Sequence, residues 1–202
     1  TLNDWLTLKS ITAYRDGYTR GNIDFDNLPG PILDIPARYD DDQFSQEFQA
    51  LMTGDRWSAV AGFYYMDATA SGAFDTVVGL ANLTTLTAGS VDTKSYAVFG
   101  DLSYDVTDAF SVSVGGRFTH DEKTGTVFRQ QYLGIRSPSF GNSAAVPLGA
   151  PRTNYTATRE FEEFTPRVSA SYKFGSDVTA YASWGKGFKS GGFDMRGDAV
   201  LY

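Results

Sequence analysis

Residues 185–192, with the sequence GKGFKSGG, combine the residue types that bind phosphate in many enzymes. A phosphate-binding loop of the G-x-x-x-x-G-K-[ST] type needs a glycine directly before its Lys and a helix after its Ser. Phe188 stands where that glycine is required, and Gly191 and Gly192 disfavour a helix. We therefore expect this segment to be the end of a strand that opens into a loop.

His120 is the only histidine of the chain, and Asp121 and Glu122 follow it. An imidazole beside carboxylates can act as a general base or hold a metal, but either role needs further converging groups that the sequence does not indicate. Residues 40–42 (DDD) lack the spaced ligands and the glycine of a Ca²⁺ loop. The chain has no Cys, so thiolate chemistry is excluded. We expect no metal, no cofactor and no enzymatic activity, with His120 as a solvated residue near a strand end.

The overall composition favours a β-protein that does not bind nucleic acid. The 202 residues include 15% aromatic residues and 21 Gly, a profile typical of strands and turns. The formal net charge of −7 opposes binding to phosphate backbones, which requires clustered Lys and Arg. No apolar run approaches the roughly 18 residues of a spanning helix. Any crossing of a membrane must therefore use strands.

Long runs of alternating polar and apolar residues predict seven antiparallel strands. Short turns at residues 54–56, 107–109 and 175–177 join some of them, and longer polar loops join the others. Outer-membrane barrels have short periplasmic turns and long extracellular loops, so this pattern also assigns an orientation. The predicted strands are residues 5–16, 43–53, 57–70, 93–106, 110–128, 159–174 and 178–190, and the predicted extracellular loops are residues 17–42, 71–92 and 130–158.

Strand length distinguishes a membrane barrel from a soluble β-sandwich. Soluble strands cluster around five or six residues, whereas several runs here last about a dozen, enough to cross a bilayer at a tilt of about 45°. Aromatic residues bracket the apolar faces eight positions apart, a distance of about 27 Å along a strand and about 20 Å along the membrane normal. The bracketing pairs are Tyr96 with Tyr104, Phe110 with Phe118, and Phe164 with Tyr172. We predict an all-β fold, an antiparallel transmembrane β-barrel segment.

Two stretches leave the direction of their side chains open. Residues 57–66 are apolar on both faces, so alternation does not say which face meets lipid. In the last strand, either Tyr181 or Trp184 could lie on the apolar face, because the two positions have opposite parity.

Charged residues on the other face of the strands are the candidate functional residues. Barrel lumens are polar, and charged residues there either line a water-filled channel or contact a plug domain. The pattern does not choose between these two roles. The candidates are Glu47, Asp101, Arg117, Arg159, Glu163 and Arg167.

Four segments resemble the barrel of TonB-dependent receptors: residues 96–104 (YAVFGDLSY), 115–119 (GGRFT), 164–169 (FTPRVS) and 181–193 (YASWGKGFKSGGF). The resemblance implies a bacterial outer-membrane barrel of roughly 22 strands around an N-terminal plug. Its extracellular loops would capture a nutrient, and the TonB complex would pull on the plug to admit it. Because residues 1–202 show no plug, TonB box or signal peptide, we expect a fragment from the middle of a barrel.

The leading functional hypothesis is TonB-energised uptake of a siderophore or similar large nutrient, captured by the loops at residues 17–42, 71–92 and 130–158. The expected partners are outer-membrane lipid, the protein's own plug domain, the TonB complex and the nutrient. A passive porin without a plug is the first alternative. A soluble β-sandwich binding module is the second, which partition of the protein into detergent would exclude.

Overall fold

The computed structural model describes residues 3–196, which form a single antiparallel sheet. The strands are joined in the order β1-β2-β3-β4-β5-β7-β8, and the short strand β6 pairs with β5 beside this path. The sheet is open, with β1 and β8 at its edges. The strands are β1 (Leu6–Asp24), β2 (Leu33–Thr53), β3 (Trp57–Val78), β4 (Leu83–Asp105), β5 (Phe110–Leu133), β6 (Val146–Pro147), β7 (Thr153–Phe174) and β8 (Val178–Gly185).

The predicted short turns are confirmed at one end of the sheet. Residues 54–56, 106–109 and 175–177 join β2 to β3, β4 to β5, and β7 to β8. In the second of these turns, the Thr107 hydroxyl accepts hydrogen bonds from the backbone N–H groups of Ala109 and Phe110, at 3.2 and 2.9 Å. Gly175 has a φ of 84°, a conformation that a glycine adopts without steric cost.

The predicted long loops are wrong in extent, because most of their residues belong to strands. The connections are only residues 25–32, 79–82 and 134–152, the last of which contains β6 and one 3₁₀ turn. The stretches that were misassigned are rich in Thr, Ser, Gly and Asp, and they lack the apolar alternation that marks a half-buried strand. Hydrogen bonding to neighbouring strands extends the ladder through them regardless of propensity. In the opposite sense, β8 ends at Gly185 rather than at residue 190.

The register places the predicted apolar residues on one side of the sheet, which we call the apolar face. Val98 pairs with Phe118, and Phe118 pairs with Phe164, so one row of large apolar side chains crosses β4, β5 and β7. Val168 pairs with Trp184, which puts Trp184 on the apolar face and Tyr181 on the opposite side. We call that opposite side the polar face.

The apolar face ends at a row of aromatic and polar side chains. Tyr65 pairs with Tyr96 and their rings lie 5.1 Å apart, while His120 continues the row on β5. The next row is charged and includes Asp67 paired with Lys94. Beyond it β1 to β5 continue for about 30 Å or more, and β7 for about 24 Å, at 3.4 Å per residue. We call this part, residues 14–44, 67–94 and 122–160, the extension.

A small apolar core lies within the extension, where residues 134–152 fold back onto β3, β4 and β5. We call these residues the cap segment. The buried core residues Ala73, Leu86 and Tyr132 come from the strands, and Ala145 comes from the cap segment. Arg38 on β2 also stacks over the Phe140 ring, with its guanidinium carbon 5.5 Å from the ring centroid. Across residues 3–196, no helix has the length and hydropathy needed to cross a membrane.

Candidate functional site

Asp101 and Arg167 form an ion pair on the polar face, although β5 separates their strands. Arg167 Nε donates to Asp101 Oδ2 at 2.7 Å. Gly115 lies between the two residues in the same row, and a Cβ at this glycine would stand 2.1 Å from Asp101 Oδ2. The missing side chain therefore leaves the space in which the pair forms. Ser113 also donates to Asp101 Oδ1 at 3.1 Å.

Arg117 rests on aromatic rings rather than on a carboxylate. Its guanidinium carbon lies 5.2 Å from the Tyr64 ring centroid and 5.9 Å from that of Phe99, within cation–π range. Its Nε donates to the Thr119 hydroxyl at 3.1 Å. The Phe99 ring lies over Gly62, where a Cβ would stand 2.4 Å from the ring. A glycine again allows a large side chain to lie flat on the polar face.

The other candidate residues have different partners. Glu163 pairs with Lys186, with Nζ 2.6 Å from Oε1, and Glu47 accepts a hydrogen bond from the Gln49 amide. Arg159 donates to the Thr158 carbonyl at 2.9 Å. Arg159 also stands directly opposite Lys123 in the β5–β7 ladder, a like-charge arrangement that is normally unfavourable.

The structure brings four of the six predicted residues together around one cavity of about 420 Å³. These are Glu47, Asp101, Arg117 and Arg167. Glu163 joins them indirectly, because its partner Lys186 also lines this cavity, whereas Arg159 does not line it. Whether any of the six contacts a plug stays a prediction.

Sequence reasoning missed the residues that shape this cavity. The sequence predicts only a strand end at Lys186, and it predicts no role for Phe99. Gly62 and Gly115 are the signal in the sequence that could have indicated close contacts at this site. They occupy polar-face positions in long strands, where glycine is disfavoured. A glycine in such a place often marks the close approach of another group.

Buried polar contacts hold the cap segment in place. The backbone N–H of Ser137 donates to Asp75 Oδ2 at 2.7 Å, and both residues are fully buried. The Thr84 hydroxyl donates to the Gly134 carbonyl at 2.7 Å and accepts from the Arg136 N–H at 2.9 Å. Burial raises the pKa of Asp75, while the hydrogen bond from the Ser137 backbone N–H and the charges of Arg136 and Arg38 partly oppose that rise.

His120 and the acidic run at residues 40–42 contact charged side chains on neighbouring strands. His120 Nδ1 lies 3.0 Å from Glu162 Oε1 at the border of the apolar face. Asp41 and Asp40, from the run at residues 40–42, pair with Arg15 and Arg20. In the part of the chain that is described, no three His, Asp or Glu residues converge as a metal site would require.

A family model described as "TonB dependent receptor-like, beta-barrel" matches residues 1–200. The chain belongs to this family. The resemblance inferred from the sequence motifs is thereby confirmed, and so is the antiparallel all-β fold. The matched model describes the barrel of these receptors, so the chain corresponds to the barrel region rather than to the plug.

A solved structure supports the same fold. The ferric yersiniabactin uptake receptor FyuA from Yersinia pestis superposes with a TM-score of 0.66 at 19% sequence identity. The match covers 90% of this chain and 25% of FyuA, so the chain spans about a quarter of that receptor's length. At this identity the likeness speaks for the fold and not for the ligand.

Proposed function

We propose that the chain forms part of the wall of a TonB-dependent receptor in the bacterial outer membrane. In this proposal the complete protein imports a siderophore or a similar large nutrient. The apolar face contacts lipid, the polar face lines the lumen, and the extension projects outside the cell. The short turns at residues 54–56, 106–109 and 175–177 lie on the periplasmic side.

The two faces of the sheet differ in charge over the same stretch of strand, and this contrast is the main support for the proposal. From the Trp57–Tyr104 row to the Phe63–Val98 row, no described residue on the apolar face carries a charge. The polar face over these rows holds Asp101, Arg117 and Arg167. A soluble sandwich would cover its apolar face with a second layer, whereas a lipid-facing band needs no protein cover.

The polar face is suited to contact a plug domain in the lumen. Asp101 with Arg167, and Glu163 with Lys186, present paired charges that can exchange partners with a polar domain surface. Arg117 supplies a cation held by aromatic rings instead of a carboxylate. An acidic group of the plug could therefore bind Arg117 without first breaking an ion pair.

Ligand capture is assigned to the extension and its connections. Residues 25–32 and 134–152 are its longer connections, and long connections on a rigid scaffold commonly carry binding function. The family's plug and the TonB complex would then use the proton gradient to admit the nutrient. The chain's role is transport, and we assign it no catalytic step.

Uptake of radio-iron by cells that express the full-length protein tests the proposal. A panel of siderophores loaded with iron should contain at least one whose uptake requires this protein, and that uptake should stop when TonB is deleted. A protonophore should have the same effect, because TonB action consumes the proton gradient. Uptake that persists at full rate without TonB would instead support a passive porin.

A further inference from the structure

Residues 186–196 leave β8 and run across the polar face instead of away from the sheet. We call these residues the strap. Its first anchor is Lys186, whose backbone N–H donates to the Pro166 carbonyl at 3.0 Å and whose Nζ pairs with Glu163 at 2.6 Å. Further along, Lys123 Nζ on β5 donates to the Gly191 carbonyl at 2.9 Å. The strap thus crosses β7 and reaches β5.

The far end of the strap inserts side chains over glycines of three strands. A Cβ on Gly125 of β5 would stand 2.3 Å from the Phe193 ring, so only glycine leaves room for this ring. Met195 lies over Gly89 of β4, where a Cβ would be 3.2 Å from Met195 Cγ, and its methyl group approaches Gly72 of β3. These three glycines form a shallow groove that fits the strap.

The strap forms one wall of an open cavity of about 480 Å³ over the sheet. Phe188 and Ser190 line it from the strap, while Arg117, Asp121 and Lys123 line it from β5. This volume falls within the range of about 300–1,000 Å³ typical of small-molecule sites. The walls combine charges of both signs with hydroxyl groups, so the cavity suits a hydrated polar solute.

The contacts of the strap make it separable from the sheet. Its residues are not in strand conformation, so the ladder bonds of the sheet do not depend on it. It is held by an ion pair, hydrogen bonds from Lys123 and Arg129 to its carbonyls, and the Phe193 and Met195 side chains. Elements held by few apolar contacts open at low free-energy cost.

We propose that the strap is a removable cover that controls access to this polar cavity. The inference deepens the proposed function, because the covered face is the one assigned to the lumen. When the strap is seated, the cavity is closed on one side and the groove of glycines is filled. When it leaves, both become accessible to solutes in the lumen.

A single cysteine at Val127 reports the position of the strap. Val127 is fully buried and pairs with Gly89, the glycine beneath Met195, and the chain has no Cys of its own. The full-length protein carrying Val127→Cys, in lipid vesicles, is treated with a charged methanethiosulfonate reagent. Gly21→Cys, at an open polar-face position, gives the rate for an uncovered site. We expect Val127→Cys to react at least about tenfold more slowly than Gly21→Cys.

Displacing the strap should remove this protection. Adding Gly125→Val drives a side chain into the Phe193 ring and should raise the labelling rate of Val127→Cys about tenfold or more. Gly21→Val is the matched control, since nothing lies within 4 Å of a Cβ there, and it should leave the rate unchanged. If Gly125→Val prevents assembly, combined Phe193→Ala and Met195→Ala changes remove the anchors from the strap itself.

Two results would overturn the proposal. Val127→Cys could react as fast as Gly21→Cys without further changes, which would mean that the strap does not cover the groove. The second result is that neither Gly125→Val nor the double strap variant accelerates labelling, which would mean that another part of the protein buries Val127. Neither measurement needs TonB or a nutrient, so failure here is distinct from failure of the transport proposal.

Discussion

At the scale of single residues, glycines on the polar face decide which side chains can meet. Gly115 makes room for the Asp101–Arg167 pair across a whole strand, and Gly62 lets the Phe99 ring lie flat beside Arg117. Glycine normally weakens a strand, by entropy and by the loss of a packing side chain. The close contacts that glycine allows therefore explain its presence at these two positions.

Gly115→Ala should break the Asp101–Arg167 pair and destabilise the barrel by about 1–3 kcal/mol, the usual range for disrupting a partly buried polar contact. The added methyl would overlap Asp101 Oδ2 and also approach the Gly100 carbonyl at 2.9 Å. Unfolding in urea, measured in lipid vesicles, gives the cost. Gly21→Ala is the control and should cost much less, because its Cβ meets open space. Equal costs for the two variants would contradict the steric explanation.

The facing of single residues is tested at neighbouring positions in β7. Val168 shares its row with Val114 and Trp184, while Ser169 shares a row with Ser113 and Ser183. Val168→Arg should cost roughly 2–4 kcal/mol if the side chain faces lipid near the bilayer midplane. Ser169→Arg should cost less, since the polar face already carries charge. Folding free energies in vesicles that reverse this order would mean a register error of one residue.

At the scale of elements, the cap segment shows how a polar stretch gains a fixed position. Asp75 and Thr84 project from β3 and β4 into the cap segment and bind its backbone at residues 134–137. Asp75 Oδ1 and the Ser137 hydroxyl are buried without a hydrogen-bond partner among the described residues. The anchor therefore costs some free energy of desolvation, which the adjoining apolar core offsets.

The raised pKa of Asp75 gives docking of the cap segment a pH dependence with a definite sign. A carboxyl whose pKa is higher in the folded state is favoured there in its protonated form. The stabilisation of docking by protonated Asp75 is therefore fully present below the pKa of the unfolded state, and it is lost as pH rises through the raised pKa of the folded state. Hydrogen exchange of the amides at residues 134–148, corrected for intrinsic rates, should show greater protection at about pH 4 than at pH 7.

Two substitutions separate charge from hydrogen bonding at this anchor. Asp75→Asn keeps an oxygen acceptor for the Ser137 N–H and should abolish the pH dependence of protection. Asp75→Ala leaves that N–H buried without an acceptor and should cost about 1–3 kcal/mol of docking free energy. A pH profile unchanged in Asp75→Asn would assign the titration to another group.

At the scale of the whole molecule, the strands serve two environments in succession. Their lower part presents the uncharged apolar face, and their upper part forms the extension with its cap segment. Strands of 19–24 residues exceed the roughly 9–11 needed to cross a bilayer, so about half of each strand lies beyond the apolar band. This geometry carries the connections well away from the membrane surface.

Replacing residues 138–148 with a Gly-Ser linker of equal length should weaken nutrient binding by the full-length receptor at least about tenfold, or 1.4 kcal/mol. The linker spares the anchors at residues 134–137 and the long strands, but it removes the short strand β6 and the core residue Ala145. The same replacement at residues 26–31 provides a comparison at the other long connection. Heat-modifiable migration in gels should show that each barrel still assembles. Unchanged affinity in both variants would remove the connections of this chain from the binding site.

The sequence alone determined the alternation of faces, the three short turns and the family motifs. Period-two patterning reports which residues share a face, and turn residues report where the chain must reverse, because both signals are local. The placement of Val98, Phe118 and Phe164 on the apolar faces of their own strands was therefore predictable. So were the charged positions of the polar face, such as Asp101 and Arg117.

Tertiary structure alone decided how far the strands extend and which side chains meet. The Thr-, Gly- and Asp-rich stretches at residues 71–78 and 83–92 become strands because neighbouring strands satisfy their backbone groups, which local propensity does not register. The pairing of Arg167 with Asp101 across Gly115, and the return of the strap to Gly125, join residues far apart in sequence. Their geometry depends on register across several strands, and no local pattern encodes it.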